Sequence, residues 1–490
     1  MTVWSKIILV LIFLCGASIK YLMAQNYEIT LPEKLNYSST HYEVLGVNSD
    51  GILVMNAGKN THSVSLYSND MKLKWKKPIA LKETGLVNIG KVFLMEDSAV
   101  VIYTVQAKGM TILKAVKVNI QLIVIRPAVV IDTITTSSLQ SVPKINYSAS
   151  YLKKRFLIYY EDLNTIENRK LHSFCLDEFL NYSWKNEYLP SDFVAPEIIS
   201  AEIDDSDNCW FLFGENQVKN FHNDFPYNKL MLVCYNQSTK NFYKTITEVT
   251  GMILTEPLLK QNISNKQILV AGLYAASPGV ESDGIYFNRY SFAGELINKK
   301  QIEFSSDLLI NLSGNNPPKR NDGFYSFQPS EMIVKKDGGI IFFAETHTIS
   351  TESFNSPGYG NFGGSSSLTV NYFHYDEVIA CSLSDTGKVE LNQVLHKKQQ
   401  TEGDGGIFSS FSVLIAPTKL VIIFNDFTGG MDVLSAFTLQ ADGKLDRIEI
   451  LNAEKKGLLP VSKAGKQISP NEIVIPSLKK GYLQYLKLLF

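Results

Sequence analysis

The chain has 490 residues, 45% hydrophobic and 19% charged, with 47 Lys and Arg against 48 Asp and Glu and a formal net charge of −1. It is too apolar to stay disordered and too neutral to bind nucleic acid by general electrostatics. With 31 Gly and 17 Pro it is neither collagen-like nor low-complexity, while 27 Phe and 24 Tyr make it rich in aromatics.

In chain order, Lys6 precedes the apolar run 7–14, and small residues lead to Leu22-Met23-Ala24-Gln25. A basic residue, a short apolar stretch and a small residue before the cut describe a secretory signal peptide over residues 1–24, cleaved after Ala24. The stretch is short for a bilayer span of about 20 residues. Leu14 also stands where a lipoprotein signal needs a small residue before Cys15. Residues 25–490 are then expected as a single secreted, periplasmic or cell-surface domain with no later transmembrane segment. Of the remaining cysteines, Cys175, Cys234 and Cys381 sit in apolar runs and read as buried thiols. Cys209 and Cys234 are the one pair placed for a bridge.

After the signal peptide helical periodicity is nearly absent, and short β-branched and aromatic runs separated by turn residues take over. The most apolar are Ile52-Leu53-Val54-Met55, Val100-Val101-Ile102-Tyr103, Phe156-Leu157-Ile158-Tyr159, Trp210-Phe211-Leu212-Phe213, Ile268-Leu269-Val270, Ile340-Ile341-Phe342-Phe343, Leu420-Val421-Ile422-Ile423 and, less purely, Tyr482-Leu483. Continuous apolar runs mark strands covered on both faces. Each has an alternating strand and a turn upstream, such as Ser49-Asp50-Gly51. Downstream come two more strands joined by a tight turn at Asn69-Asp70, Gly294, Gly387 or Gly443. The unit is a four-stranded meander, its strands here called A to D with the apolar run as B. Repetition of such units predicts an all-β β-propeller of seven or eight blades, eight being preferred from the B-like runs. Tyr27-Glu28-Ile29-Thr30 is placed to complete the C-terminal sheet and close the ring. The alternating end at Leu486, Leu488 and Phe490 is also an outer-membrane barrel pattern, but barrel strands alternate throughout and the B runs do not.

The block Phe373-His374-Tyr375-Asp376-Glu377-Val378-Ile379, with Ser384-Asp385-Thr386-Gly387-Lys388, Lys397-Lys398-Gln399-Gln400 and the Leu-Met-Ala-Gln cleavage context, resembles uncharacterised secreted β-propeller-like proteins of the Bacteroidota. The resemblance is best over the last third. It implies an envelope or extracellular propeller and carries no catalytic residues to transfer.

Motifs for chemistry are sparse. Ser68 to Trp75 keeps part of a sialidase-type turn box, and Thr386-Gly387-Lys388 part of a quinoprotein repeat, each once. Asp204-Asp205-Ser206-Asp207-Asn208 has calcium-loop spacing but Cys209 where the turn glycine belongs, so an acidic A–B turn is expected. The seven histidines form no metal-ligating pair, and neither a nucleophile elbow nor a phosphate loop is present. No metal and no cofactor is expected.

Long connections carry the functional expectation. The B–C connections 216–227, 275–283 and 348–372 and the D–A connections 305–323 and 399–407 would share one face around the channel mouth. Phe221, His222, Asp224 and Tyr227, with Phe225, cluster in one. Tyr359, Phe362, Tyr372 and His374 flank a Gly/Ser-rich stretch at 358–367 in another. Aromatic faces beside Asp and His suit stacking on a sugar or gripping a protein. The expected function is non-catalytic binding of a protein or glycan ligand, the alternative being a carbohydrate-active hydrolase or lyase at the channel mouth.

Overall fold

The computed structural model describes residues 26–35, 39–58, 62–107, 109–135, 142–162, 169–194, 196–216, 227–248, 252–255, 257–276, 282–313, 327–356, 366–428 and 431–490. The expected signal peptide lies outside them.

The fold is β-propeller-like, built from antiparallel four-stranded meanders in chain order. Seven of the apolar runs become strand B: Gly51–Gly58, Ser98–Ala107, Arg155–Glu161, Cys209–Asn216, Gln267–Ala275, Ile340–Ser356 and Lys419–Thr428. The last unit corrects the reading, for its B strand is Glu472–Lys479 and Tyr482–Leu489 is strand C. The apolar run of that B strand, Ile473-Val474-Ile475, is as short as Ile268-Leu269-Val270 and ends at Pro476. Lys466–Ser469 is its strand A, and Tyr27–Ile29 from the other end of the chain is its D, pairing Tyr27 with Leu488 and Ile29 with Leu486. The fourth and fifth meanders are fused into one nine-stranded sheet by Ile253–Leu254, which pairs with Tyr227 on one side and with Tyr274 and Ala275 on the other.

The B runs are apolar on both sides because each sheet packs against two others. Side chains alternate across a strand. Phe156 and Ile158 of the third unit accordingly pack on Val100, Ile102 and Leu113 of the second. Leu157 and Tyr159 pack on Phe211, Phe213 and Met231 of the fourth. The same arrangement follows the chain to the eighth unit. There Val474, Leu483 and Tyr485 pack on Val44, Ile52, Val54 and Tyr67 of the first, and Tyr485 donates a buried hydrogen bond to Asn56 at 2.9 Å.

Six of the C–D turns share one geometry, the fourth unit's turn at 236–241 being one residue longer. The first turn residue takes a backbone bond from the residue three further on and gives one to the fourth, as at Ser68, Ser291, Ser384 and Gln440. The donor in third place has positive φ. It is glycine at Gly294, Gly387 and Gly443, as expected, but Met71 and Leu180 elsewhere. A left-handed non-glycine residue costs about 1–2 kcal/mol. Burying Met71 and Leu180, each 2% exposed, offsets this with about 1.5–3 kcal/mol.

Two connections differ from the expectation. Residues 305–323 contain a helix, Ser306–Ser313, in a chain that shows almost no helical periodicity; the Ser305 hydroxyl caps it by accepting from Leu308 N at 3.3 Å, and Leu308 is buried. Much of 348–372 is strand: B and C of the sixth unit continue past a bulge between Glu345 and His347 as a paired arm to Ser356 and Ser366. Its β-branched residues Thr348, Ile349 and Thr351 favour this extension, and Gln400–Glu402 adds a third strand beside Tyr372–His374.

None of the four cysteines among the described residues forms a disulfide, and all four are buried. Cys209 pairs with Tyr235 and Cys234 with Trp210, so the two thiols point to opposite faces and into different cores. The 204–208 segment is the expected acidic turn. Asp204 accepts from Ser206 N and Asn208 N at 2.8 and 2.9 Å, and Asp207 is paired with Arg155.

Phe342 has no exposed surface and packs in the core between the fifth and sixth units. Phe342→Ala is expected to cost about 3–5 kcal/mol in denaturant unfolding; a loss below about 1 kcal/mol would contradict this packing.

Candidate functional site

In most units strand B turns polar where it runs into the B–C connection, and several of these polar ends are met by a neighbouring segment. Asn425 donates to Phe408 O at 2.8 Å and to Pro460 O at 2.6 Å. The Ser477 hydroxyl accepts from Leu459 N at 2.8 Å. Two of these ends, Glu345 and Glu161, build sites.

Glu345 closes the core part of strand B at the base of the arm. Lys397, just after strand D, places its ammonium 2.6 Å from Glu345 Oε1, with side-chain exposures of 0% and 5%. Ser410 donates to Oε2 at 2.5 Å. Lys397 also donates to Tyr375 O at 2.8 Å and to Gln399 Oε1 at 2.7 Å, and Gln399 reaches Asn425 O at 2.7 Å. Burial pushes the Glu345 carboxyl up, against the pull of Lys397, Ser410 and Lys463, and pushes the Lys397 ammonium down. Removing one partner would strand the other as an unpaired buried charge. Beside the pair lies a cavity of about 360 Å³ lined by Gln328, Glu331, Glu345, His347, Tyr375 and Lys463 among others. His347 stacks on Tyr375 at 4.3 Å and 27°. Gly406, at φ +69°, lies against that tyrosine, where a Cβ would sit 2.8 Å from Tyr375 Cε2.

The second site lies between the third and fourth units. Glu161 ends its strand B with 11% side-chain exposure and a contact of 3.7 Å to Arg169. Ile198 N donates to it at 3.1 Å. Burial raises its carboxyl to about 7; Glu197 adds to the rise, and Arg169 and the Ile198 N–H oppose it. Tyr227, at the start of strand C, is buried and donates to Glu197 at 3.4 Å. Its ring fills the space over Gly214, where a Cβ would come within 2.3 Å. Glu215 accepts from Val194 N at 3.0 Å and lies 3.5 Å from Lys229. Glu202, further along strand A of the fourth unit, is also raised to about 7 by burial, against Lys260 and Gln261.

Of the residues chosen from sequence, Phe221, His222, Asp224, Tyr359 and Phe362 lie outside the described residues. Tyr227 belongs to the Glu161 site as a buried hydrogen-bond donor. Tyr372 and His374 stand on the arm, paired with Glu402 and Gln400, with His374 Nε2 3.0 Å from the Ser350 hydroxyl. Sequence reasoning missed Tyr375, His347, Glu345, Lys397 and Glu161. Tyr375 adjoins His374, and alternation along a strand sends neighbours to opposite sides. No group of His, Cys, Asp and Glu suited to a metal occurs among the described residues.

No protein-family model and no curated protein matches the chain. Several solved structures resemble it at low identity. The polysaccharide lyase Uly1 is 10% identical with a TM-score of 0.40, over 93% of this chain and 99% of that one. The β-propeller domain of Nup133 from Vanderwaltozyma polyspora is 12% identical with a TM-score of 0.40, over 82% and 100%. A prolyl endopeptidase is 9% identical with a TM-score of 0.36, over 85% of this chain and 55% of that one, so the chain spans about half the length of the peptidase.

Glu161 generates a pH prediction. In the unfolded chain its carboxyl ionises near 4.5, in the fold near 7. Below 4.5 both states are protonated and stability is full. Between 4.5 and 7 only the unfolded state ionises, so stability falls with rising pH, by about 3 kcal/mol, and levels off above 7. Denaturant unfolding from pH 4 to 8 should show this slope, and Glu161→Gln should remove its share and leave that of Glu202; an unchanged slope would contradict the assignment.

Proposed function

We propose that the eight meanders form a closed eight-bladed β-propeller, secreted or envelope-associated, that binds a protein or glycan on the face of its B–C and D–A connections without catalysing a reaction. Ring closure is supported by Tyr27–Ile29 completing the last sheet and by that sheet packing on the first. The resemblance to secreted Bacteroidota proteins and the Leu22-Met23-Ala24-Gln25 context support the address.

The observation that carries binding is the cavity at the base of the arm. Its deeply buried carboxylate, Glu345, is neutralised by Lys397, and the stacked His347–Tyr375 pair lies beside it with Gln328 and Lys463. Aromatic and hydrogen-bonding surface next to a locked ion pair suits recognition more than proton transfer. One observation favours an enzyme: Glu161, held near 7 beside Glu197, has the properties of a general acid for glycoside cleavage.

The test uses protein recovered from the producing cell's envelope or medium, whose N-terminus should be Gln25. On glycan arrays and against envelope proteins, His347→Ala and Tyr372→Ala should weaken binding about tenfold with the thermal midpoint nearly unchanged. Unchanged binding by both variants overturns the site. Turnover of a bound polysaccharide that Glu161→Gln abolishes would establish the enzyme instead.

A further inference from the structure

The opposite end of the channel, where the A–B turns lie, holds a second cavity of about 520 Å³. It is formed by the A–B turns of the second and third units, the end of strand A of the first and strand A of the eighth. Lys153 donates to Leu94 O at 2.5 Å and Lys466 to Leu45 O at 3.1 Å, and all four residues line the cavity. An ammonium has three donors, so a single carbonyl leaves each unfilled. The carboxylate that Lys466 senses, Glu43, is paired with Lys91 at 2.6 Å, while Lys91 and Lys153 repel Lys466. Burial pushes both the Lys153 and Lys466 ammonium groups down.

The rest of the lining narrows the ligand. Tyr151 is 78% exposed and Leu152 58% exposed, so the cavity offers an accessible ring and a small apolar face. Lys117, which donates to Glu178 O at 3.0 Å, Lys154 and Glu178 also line the cavity, and so do the exposed carboxylates Glu96 and Asp97. These two carboxylates accept hydrogen bonds from hydroxyls and repel a ligand of several negative charges. The complement is one anionic group, several hydroxyl donors and an apolar face.

We propose that this cavity binds an acidic sugar of the hexuronate type, its carboxylate held by Lys153 and Lys466, its ring on Tyr151 and its hydroxyls donating to Glu96 and Asp97. The site is separate from the arm cavity and independent of the function assigned to it.

Calorimetric titration of the mature chain with digalacturonate tests this, with cellobiose as the neutral control. Saturable binding is expected, weakening as salt rises from about 20 to about 200 mM. Lys153→Met and Lys466→Met keep the side-chain stem and should each bind about tenfold more weakly. Lys466→Arg should stay within about threefold, Tyr151→Ala should also lose affinity, and His347→Ala should leave binding intact. Thermal midpoints without ligand should be alike. Absence of saturation by about 10 mM, equal binding of cellobiose, insensitivity to both methionine variants, or equal competition by a diglutamate peptide would each overturn the proposal.

Discussion

A strand that is apolar on both faces is stable only between two other layers, and the rest of this structure depends on that constraint. Hydrophobic burial is non-directional, so it does not choose a partner by itself. It does demand that one be found for each face. Phe156 and Leu157, adjacent in sequence, satisfy the demand on opposite sides, one against the second unit and the other against the fourth. Applied from unit to unit, the rule leaves the outer face of the first sheet and that of the last in need of cover. They cover each other through Ile52, Val54, Val474 and Tyr485. Tyr27–Ile29 supplies the missing edge strand of the last sheet, so the N-terminal segment is held by ladder hydrogen bonds as well as by packing.

The polar chemistry grows from where this burial stops. At its B–C end strand B leaves the sandwich, and its last residues meet the connections of neighbouring units. Asn56, Glu161, Glu345, Asn425 and Ser477 all stand there, bonded to another unit or connection. These groups are screened from water by the sheets below and need partners from the protein. The environment then sets the behaviour of each carboxyl. Glu345 meets a buried ammonium and a hydroxyl and is locked. Glu161 meets another carboxylate and a distant guanidinium and is left with a raised proton affinity. At the A–B ends of the sheets Lys153 and Lys466 each donate to a backbone carbonyl and keep further donors to offer.

Much of the architecture was legible in the residues. The runs at 52–55, 156–159 and 340–343, β-branched and aromatic and bounded by turn residues, read as covered strands, and glycines at 294, 387 and 443 mark the same turn three times. The repeat of that turn at Met71 and Leu180 was not legible, because the sequence does not show that a neighbouring sheet will bury those side chains. The same limit applies to the sites. Tyr227, Tyr372 and His374 were chosen for their aromatic setting, whereas Tyr375 and His347 entered the cavity because the arm continues the strand alternation beyond the bulge. The sequence alone determined the fold class, the repeating unit and the double burial of strand B, since these follow from local alternation and turn chemistry. Only the tertiary structure decided which carboxylates share a cavity, which lysine neutralises Glu345 and where Lys153 meets Lys466. Glu345 and Lys397 are 52 residues apart within one unit and Lys153 and Lys466 are 313 apart in different units, and the electrostatics of both depend on distance and burial that no local pattern encodes.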